Sequence, residues 1–216
     1  MEFTVQKLLP ELQSGRRLKI TGSNFPAFSF QGAWDGGCAL HATAMAIAML
    51  GHLSDPLRVP SRRSGPEAAF WELAWPFYLS GVTLEELENL ILELGWGLRP
   101  TLFEGAHAKV LRFCEQEVLC GRPVIVTWRQ LRRAALHATL IVGIEGRQVG
   151  RNFEGHTLLV IDSAEAEPML AVHNARLTWA MERRGRQSGY ARYVTAFEER
   201  KIALGGAMSI RAAKPP

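Results

Sequence analysis

An α+β domain is the fold class that this chain predicts, and three observations predict it. Helical patterns fill the first half and strand patterns the second. The run Cys38 to Leu50 is alanine-rich, with Leu, Met and Ile and no Pro or Gly before Gly51, which predicts a helix that is apolar almost all round and therefore buried. Beyond residue 122, short runs of β-branched and aliphatic residues alternate with turn residues, as strands do. With 216 residues, 47% hydrophobic and 21% charged, the chain can bury one full core without metals or disulfides, and wholesale disorder is excluded.

In chain order, Val5, Leu8, Leu9 and Leu12 suggest one short helical face, and Arg16 to Ile20 a short strand. Phe25, Pro26, Phe28 and Phe30 suggest an extended segment on an apolar surface. A glycine-rich loop, Gln31 to Gly37, leads into the Cys38 helix. Residues 52–66, with Pro56, Pro60 and Pro66, read as a loop. Glu67 to Leu79 is a tryptophan-rich helix. Val82 to Leu94 is a helix that opens on a capping box, Thr83 with Glu86. Ala106 to Cys120 is a further helix, closed by Gly121. Strands follow at Pro123 to Trp128, His137 to Gly143, Thr157 to Asp162, Met169 to His173 and Tyr190 to Phe197. The organisation is an N-terminal extension (1–27), one domain (28–205) and a C-terminal tail (206–216).

Composition narrows the function classes. Lys plus Arg is 25 and Asp plus Glu is 21, a net charge of +4, well short of a nucleic-acid-binding arm or a polybasic membrane anchor. Three cysteines, Cys38, Cys114 and Cys120, form a poor disulfide framework and suggest a reducing compartment. No Cys-x-x-Cys pair or histidine ligand spacing is present, so no metal site or cofactor is expected. No apolar run approaches the ~20 residues that span a bilayer, and the N-terminus does not read as a signal peptide. The expectation is a cytoplasmic protein, with secretion by a route that needs no cleaved signal left open.

The chemistry begins at Cys38. A helix N-terminus offers unpaired backbone N–H groups and the positive end of the helix dipole, which favour a thiolate and can hold an oxyanion. Gly36 and Gly37 let a substrate backbone approach the sulfur, and Trp34 is placed as a lip of the substrate groove. A thiolate needs a base, and His137 stands at the start of a buried strand. Asp162 ends the next strand, where antiparallel pairing brings it to the imidazole of His137 to orient it. His41, one turn from Cys38, reads as a packing residue. The arginines at 62–63, 129–133 and 183–186 read as solvated faces.

The motifs Gln31 to Ala46, Gly121 to Trp128, Leu136 to Gly143 and Leu159 to Ser163 together resemble those of papain-like cysteine peptidases. They are most similar to the compact bacterial branch that includes the bacteriocin-processing, double-glycine-type enzymes. The resemblance covers about residues 28 to 197. It implies a papain-like fold, a central Cys-led helix packed on a mainly antiparallel sheet. It implies Cys38 as nucleophile, His137 as general base and acid, Asp162 as its orienter and Gln31 as an oxyanion-hole donor. Gln31 lies seven residues before Cys38, a longer spacing than the family pattern. Gly36 and Gly37 would then suit a substrate with small residues before the scissile bond.

Two classes of function follow. One is a thiol peptidase acting on a peptide or protein through an acyl-enzyme, with a recruiting partner protein conceivable. A deamidase or transferase effector attacking a glutamine side chain would use the same machinery. The other class is a non-catalytic peptide-binding module, which the presence of Cys, His and Asp together argues against.

Overall fold

The computed structural model describes residues 2–33, 35–132, 134–179, 181–182, 186–187 and 189–212. Its strands are β1 (Glu2–Leu8), β2 (Leu12–Gln13), β3 (Lys19–Ile20), β4 (Leu98–Glu104), β5 (Val124–Gln130) and β6 (Leu136–Val149), followed by β7 (Asn152–Ile161), β8 (Ala175–Thr178), β9 (Met181–Glu182), β10 (Arg186–Gln187), β11 (Ala191–Val194) and β12 (Glu199–Ala212). Its α-helices are α1 (Cys38–Met49), α2 (Pro66–Ala74), α3 (Leu84–Glu93) and α4 (His107–Leu119).

The main sheet is antiparallel and closed. Its strands run β6, β5, β12, β11, β8, β7, and β7 returns to pair with β6, which makes a six-stranded barrel. β1 continues the ladder along β6, and β4 the ladder along β12. This overturns the expected papain-like α+β arrangement of a central helix on a sheet. The barrel dominates, and α1 packs against β6 and β5 as one of a few short helices.

The physical reasons lie in strands that local patterns conceal. β1 carries Glu2, Gln6 and Lys7 among its apolar residues and is exposed except at the half-buried Val5, so it lacks the alternation of a half-buried strand. β4 contains Pro100, a residue sheets accept at an edge, and β4 pairs with β12 alone. β12 is interrupted in sequence by Gly205 and Gly206. The strand crosses them at a register shift and buries Ala207, Met208, Ser209 and Ile210 beyond it. Residues 2–8 pair with β6, and residues 206–212 pair with β4. The strand expected at Met169 to His173 is instead a turn with Leu170 at positive φ, and the pairing segment is β8.

The helices follow their local signals closely. Thr83 caps α3 with its hydroxyl on the Glu86 N–H, while Glu86 returns its carboxylate to the Thr83 N–H. Every residue of α1 from Ala39 to Met49 except His41 is buried. Cys114 lies in the core, whereas Cys120 is exposed. No helix among the described residues is long and apolar enough to cross a membrane.

Barrel closure depends on close approach between β6 and β7. A Cβ at Gly146 would stand 2.4 Å from the Glu154 carbonyl oxygen and 2.6 Å from the Phe153 ring, at the point where the ladder shifts register. Gly146→Ala is therefore expected to lower stability by about 1–3 kcal/mol. Gly150→Ala, in the turn with φ +60° and open space around it, costs only about 1 kcal/mol of backbone strain. Urea denaturation midpoints of the two variants test the difference.

Candidate active site

β6 begins and β7 ends at one mouth of the barrel. Leu140 pairs with Ile161, so the next residue of β7's chain, Asp162, falls opposite Thr139. His137 lies two residues further out on the same face, a diagonal neighbour within side-chain reach. The imidazole Nε2 stands 2.8 and 2.9 Å from the two Asp162 carboxylate oxygens. Nδ1 is not engaged by Asp162, and Cys38, which leads α1, shares the lining of one groove with His137.

Asp162 is buried, and its surroundings explain how a carboxylate is held there. It accepts from His137, from the Ala164 N–H at 2.8 Å and from the Tyr193 hydroxyl on β11. Its own N–H donates to Asn174 Oδ1 at 2.7 Å, and Asn174 Nδ2 donates back to the Asp162 carbonyl at 2.8 Å. Burial alone would raise the carboxyl pKa. The hydrogen bond and charge of His137, with the Tyr193 and Ala164 donors, reverse that and hold it below its ordinary 3.8. Burial also works against the imidazolium. The hydrogen bond to Asp162, the neighbouring Cys38 and the charges of both outweigh it and raise His137 from 6.5 to about 10.

Trp128, the cross-strand partner of His137 on β5, stands edge-on to the imidazole at 5.0 Å between ring centres and also touches Tyr193. Trp128 reads from the sequence as core, and it is buried. Tyr193 and Asn174 carry no local motif. The signal available for Tyr193 is that a tyrosine in a buried strand needs an acceptor for its hydroxyl.

On the Cys38 side, Asp35 organises the loop. Its carboxylate accepts from the Gly37 N–H at 3.0 Å, the Gly32 N–H at 2.6 Å and the Tyr78 hydroxyl at 3.2 Å. Gly36 threads between this loop and the 79–81 turn, where a Cβ would lie 2.7 Å from the Leu79 carbonyl oxygen. Gly36 lines the groove and Gly37 is buried beneath it. Gln31 is not brought to the groove lining. Its side-chain amide donates to the Asp35 carbonyl at 2.9 Å, and its backbone N–H donates to the Ser163 carbonyl at 2.8 Å. It staples the Cys38 loop to the chain just after Asp162. Trp34 lies outside the described residues, as do Arg133 and most of the 183–186 run; Arg62, Arg63, Arg129 and Arg132 are exposed.

His41 forms a second, quieter pair. His41 Nδ1 and Ser29 Oγ share a hydrogen bond of 2.7 Å, and Ser29 Oγ also lies 3.2 Å from the Pro56 carbonyl oxygen. His41 Nε2 stands 3.6 Å from Asp35. Burial lowers its pKa against the pull of Asp35, which fits the packing role expected of it.

No protein-family model matches the chain, and no match to a curated protein is found.

The His137–Asp162 pair makes stability depend on pH in a defined way. His137 binds its proton more tightly folded than unfolded, so its contribution is complete below 6.5 and is lost as pH rises through about 10. Asp162, depressed when folded, contributes above 3.8 and loses its share as pH falls through its folded value. The stability of the wild type relative to His137→Gln, measured by urea unfolding, is expected to be greatest between these limits and to decline from pH 7 to 10. A difference that stays flat over that range contradicts the assignment.

Proposed function

We propose that the protein is a thiol-dependent hydrolase acting on an amide of a peptide or protein, with Cys38 as nucleophile, His137 as acid and base, and Asp162 as the group that orients and charges His137. The observation that carries this reading is the buried Asp162 clamping Nε2 of His137, while His137 and Cys38, at the first position of α1, line one groove. The resemblance of the Cys38, His137 and Asp162 segments to cysteine peptidase motifs supports the same roles.

The steps follow from the groups present. The Cys38 thiolate attacks the amide carbonyl carbon, and the oxygen takes up the electron pair. Backbone N–H groups of the first turn of α1, which lack helical acceptors, face that oxyanion. His137 passes its proton to the departing amine as the C–N bond breaks, which leaves a thioester on Cys38. Neutral His137 then takes a proton from water, the hydroxide adds to the thioester, and collapse releases the acid and restores the thiolate–imidazolium pair. Asp162, with Tyr193 and Asn174 behind it, keeps His137 in place throughout. Gln31 acts here as a staple of the loop, and the first-turn N–H groups carry the oxyanion.

The test is the alkylation rate of each cysteine by iodoacetamide at pH 5 to 9, located by mass spectrometry of the full chain. Cys38 is expected to react fastest and to slow by about tenfold or more in His137→Ala. Cys38 reacting no faster than the exposed Cys120, with or without His137, contradicts the reading. Product masses from candidate peptides then separate the two targets. Main-chain hydrolysis yields two fragments that together gain one water, whereas attack on a glutamine side chain leaves one chain with glutamate in its place.

A further inference from the structure

The groove that opens on Cys38 has a volume of about 500 Å³ and runs between the α1 N-terminus, the start of α3, the end of β4 and the His137 end of β6. Its lining includes the apolar Ala39, Val82 and Leu136 and two carboxylates, Glu86 and Glu104. Among the described residues no Lys or Arg lines it. The one cationic side chain among the described lining residues is His137, already tied to Asp162. The groove therefore runs against the charge of the chain, which is +4 overall.

Glu104 does not simply hang in solvent. It ends β4 opposite Gly206 of β12, and its side chain lies flat across that glycine. A Cβ at position 206 would stand 3.3 Å from Glu104 Cγ, 3.5 Å from its Oε1 and 2.8 Å from Leu84 Cδ1. The missing side chain at 206 lets the Glu104 stem lie beside Leu84 along the groove wall. Glu86 is fixed differently. Its Oε2 takes both capping hydrogen bonds from Thr83, at 2.8 Å each, and the two bonds hold the carboxyl below its usual range. The capping bonds leave Oε1 for a ligand.

We propose that this groove receives a positively charged side chain of the substrate, lysine or arginine, with Glu104 as the specificity-determining carboxylate and Glu86 reinforcing its field. The inference rests on the thiol-hydrolase reading of Cys38. The methylene stem of a lysine or arginine lies along Val82 and Leu136 while its head reaches Glu104, the division such side chains favour. A neutral residue forgoes the ion pair, and an acidic one meets two like charges.

Peptidyl acyloxymethyl ketones test this on the full chain. They alkylate a catalytic thiol by displacement of their carboxylate, and the intact mass reports which cysteine is modified. Probes carry lysine, norleucine or glutamate at one of three positions before the electrophile. At one of these positions lysine is expected to label Cys38 about 5-fold faster than norleucine, and glutamate more slowly than either. The lysine-to-norleucine ratio should fall to about 1 in Glu104→Gln, invert in Glu104→Lys and shrink in about 1 M salt. Labelling of Cys38 that ignores charge at all three positions, or a ratio unchanged in Glu104→Gln, overturns the proposal while leaving the hydrolase reading intact. If no probe labels Cys38 faster than Cys120, the hydrolase reading fails and this inference falls with it.

Discussion

A carboxylate buried at the mouth of a barrel is costly unless its surroundings repay its lost hydration. Asp162 meets that requirement with His137, Tyr193 and the Ala164 N–H on its side chain, and with Asn174 on both backbone groups. These partners come from β6, β11, the turn after β7 and the segment entering β8. Their convergence requires that the sheet close, because β11 and β6 meet through β8 and β7 on one side and through β12 and β5 on the other. Removing any one partner leaves a buried polar group unmatched, and such losses exceed what the intact bond contributes.

The same constraint couples the barrel to the helix that carries the thiol. α1 packs on β6 and β5, the two strands that present His137 and Trp128. Gln31 ties the loop before α1 to Ser163, one residue past Asp162. Asp35 gathers the loop N–H groups and the Tyr78 hydroxyl so that Gly37 and Cys38 enter the helix in a fixed geometry. Cys38 and His137 thus sit on different elements and share one surround, which suits the proposed chemistry, since that needs placement to within a fraction of an ångström.

Much of the site is legible in the sequence, and less of the fold. Cys38 at a helix start, His137 at a strand start and Asp162 at a strand end all follow from hydrophobic runs and their boundaries, signals that are local. Tyr193 and Asn174 are not legible, because their roles depend on which strands neighbour which. The barrel is hidden for a related reason. β1 mixes charges with its apolar residues, β4 holds a proline, and β12 is split by two glycines, so each fails the local test for a strand. Ladder pairing with β6, β5 and β12 supplies the stability that local propensity withholds. A papain-like sheet-and-helix fold therefore suited the motifs but not the chain that joins them.

The central claim is that Asp162 holds His137 as an imidazolium facing Cys38. Nitrogen-15 NMR of the His137 ring reads this directly, because protonated and neutral imidazole nitrogens differ widely in shift. The account predicts a doubly protonated ring at pH 8, titrating near 10 in the wild type and far lower in Asp162→Asn. A ring that loses its proton near 6.5 in the wild type, as a free histidine does, contradicts it.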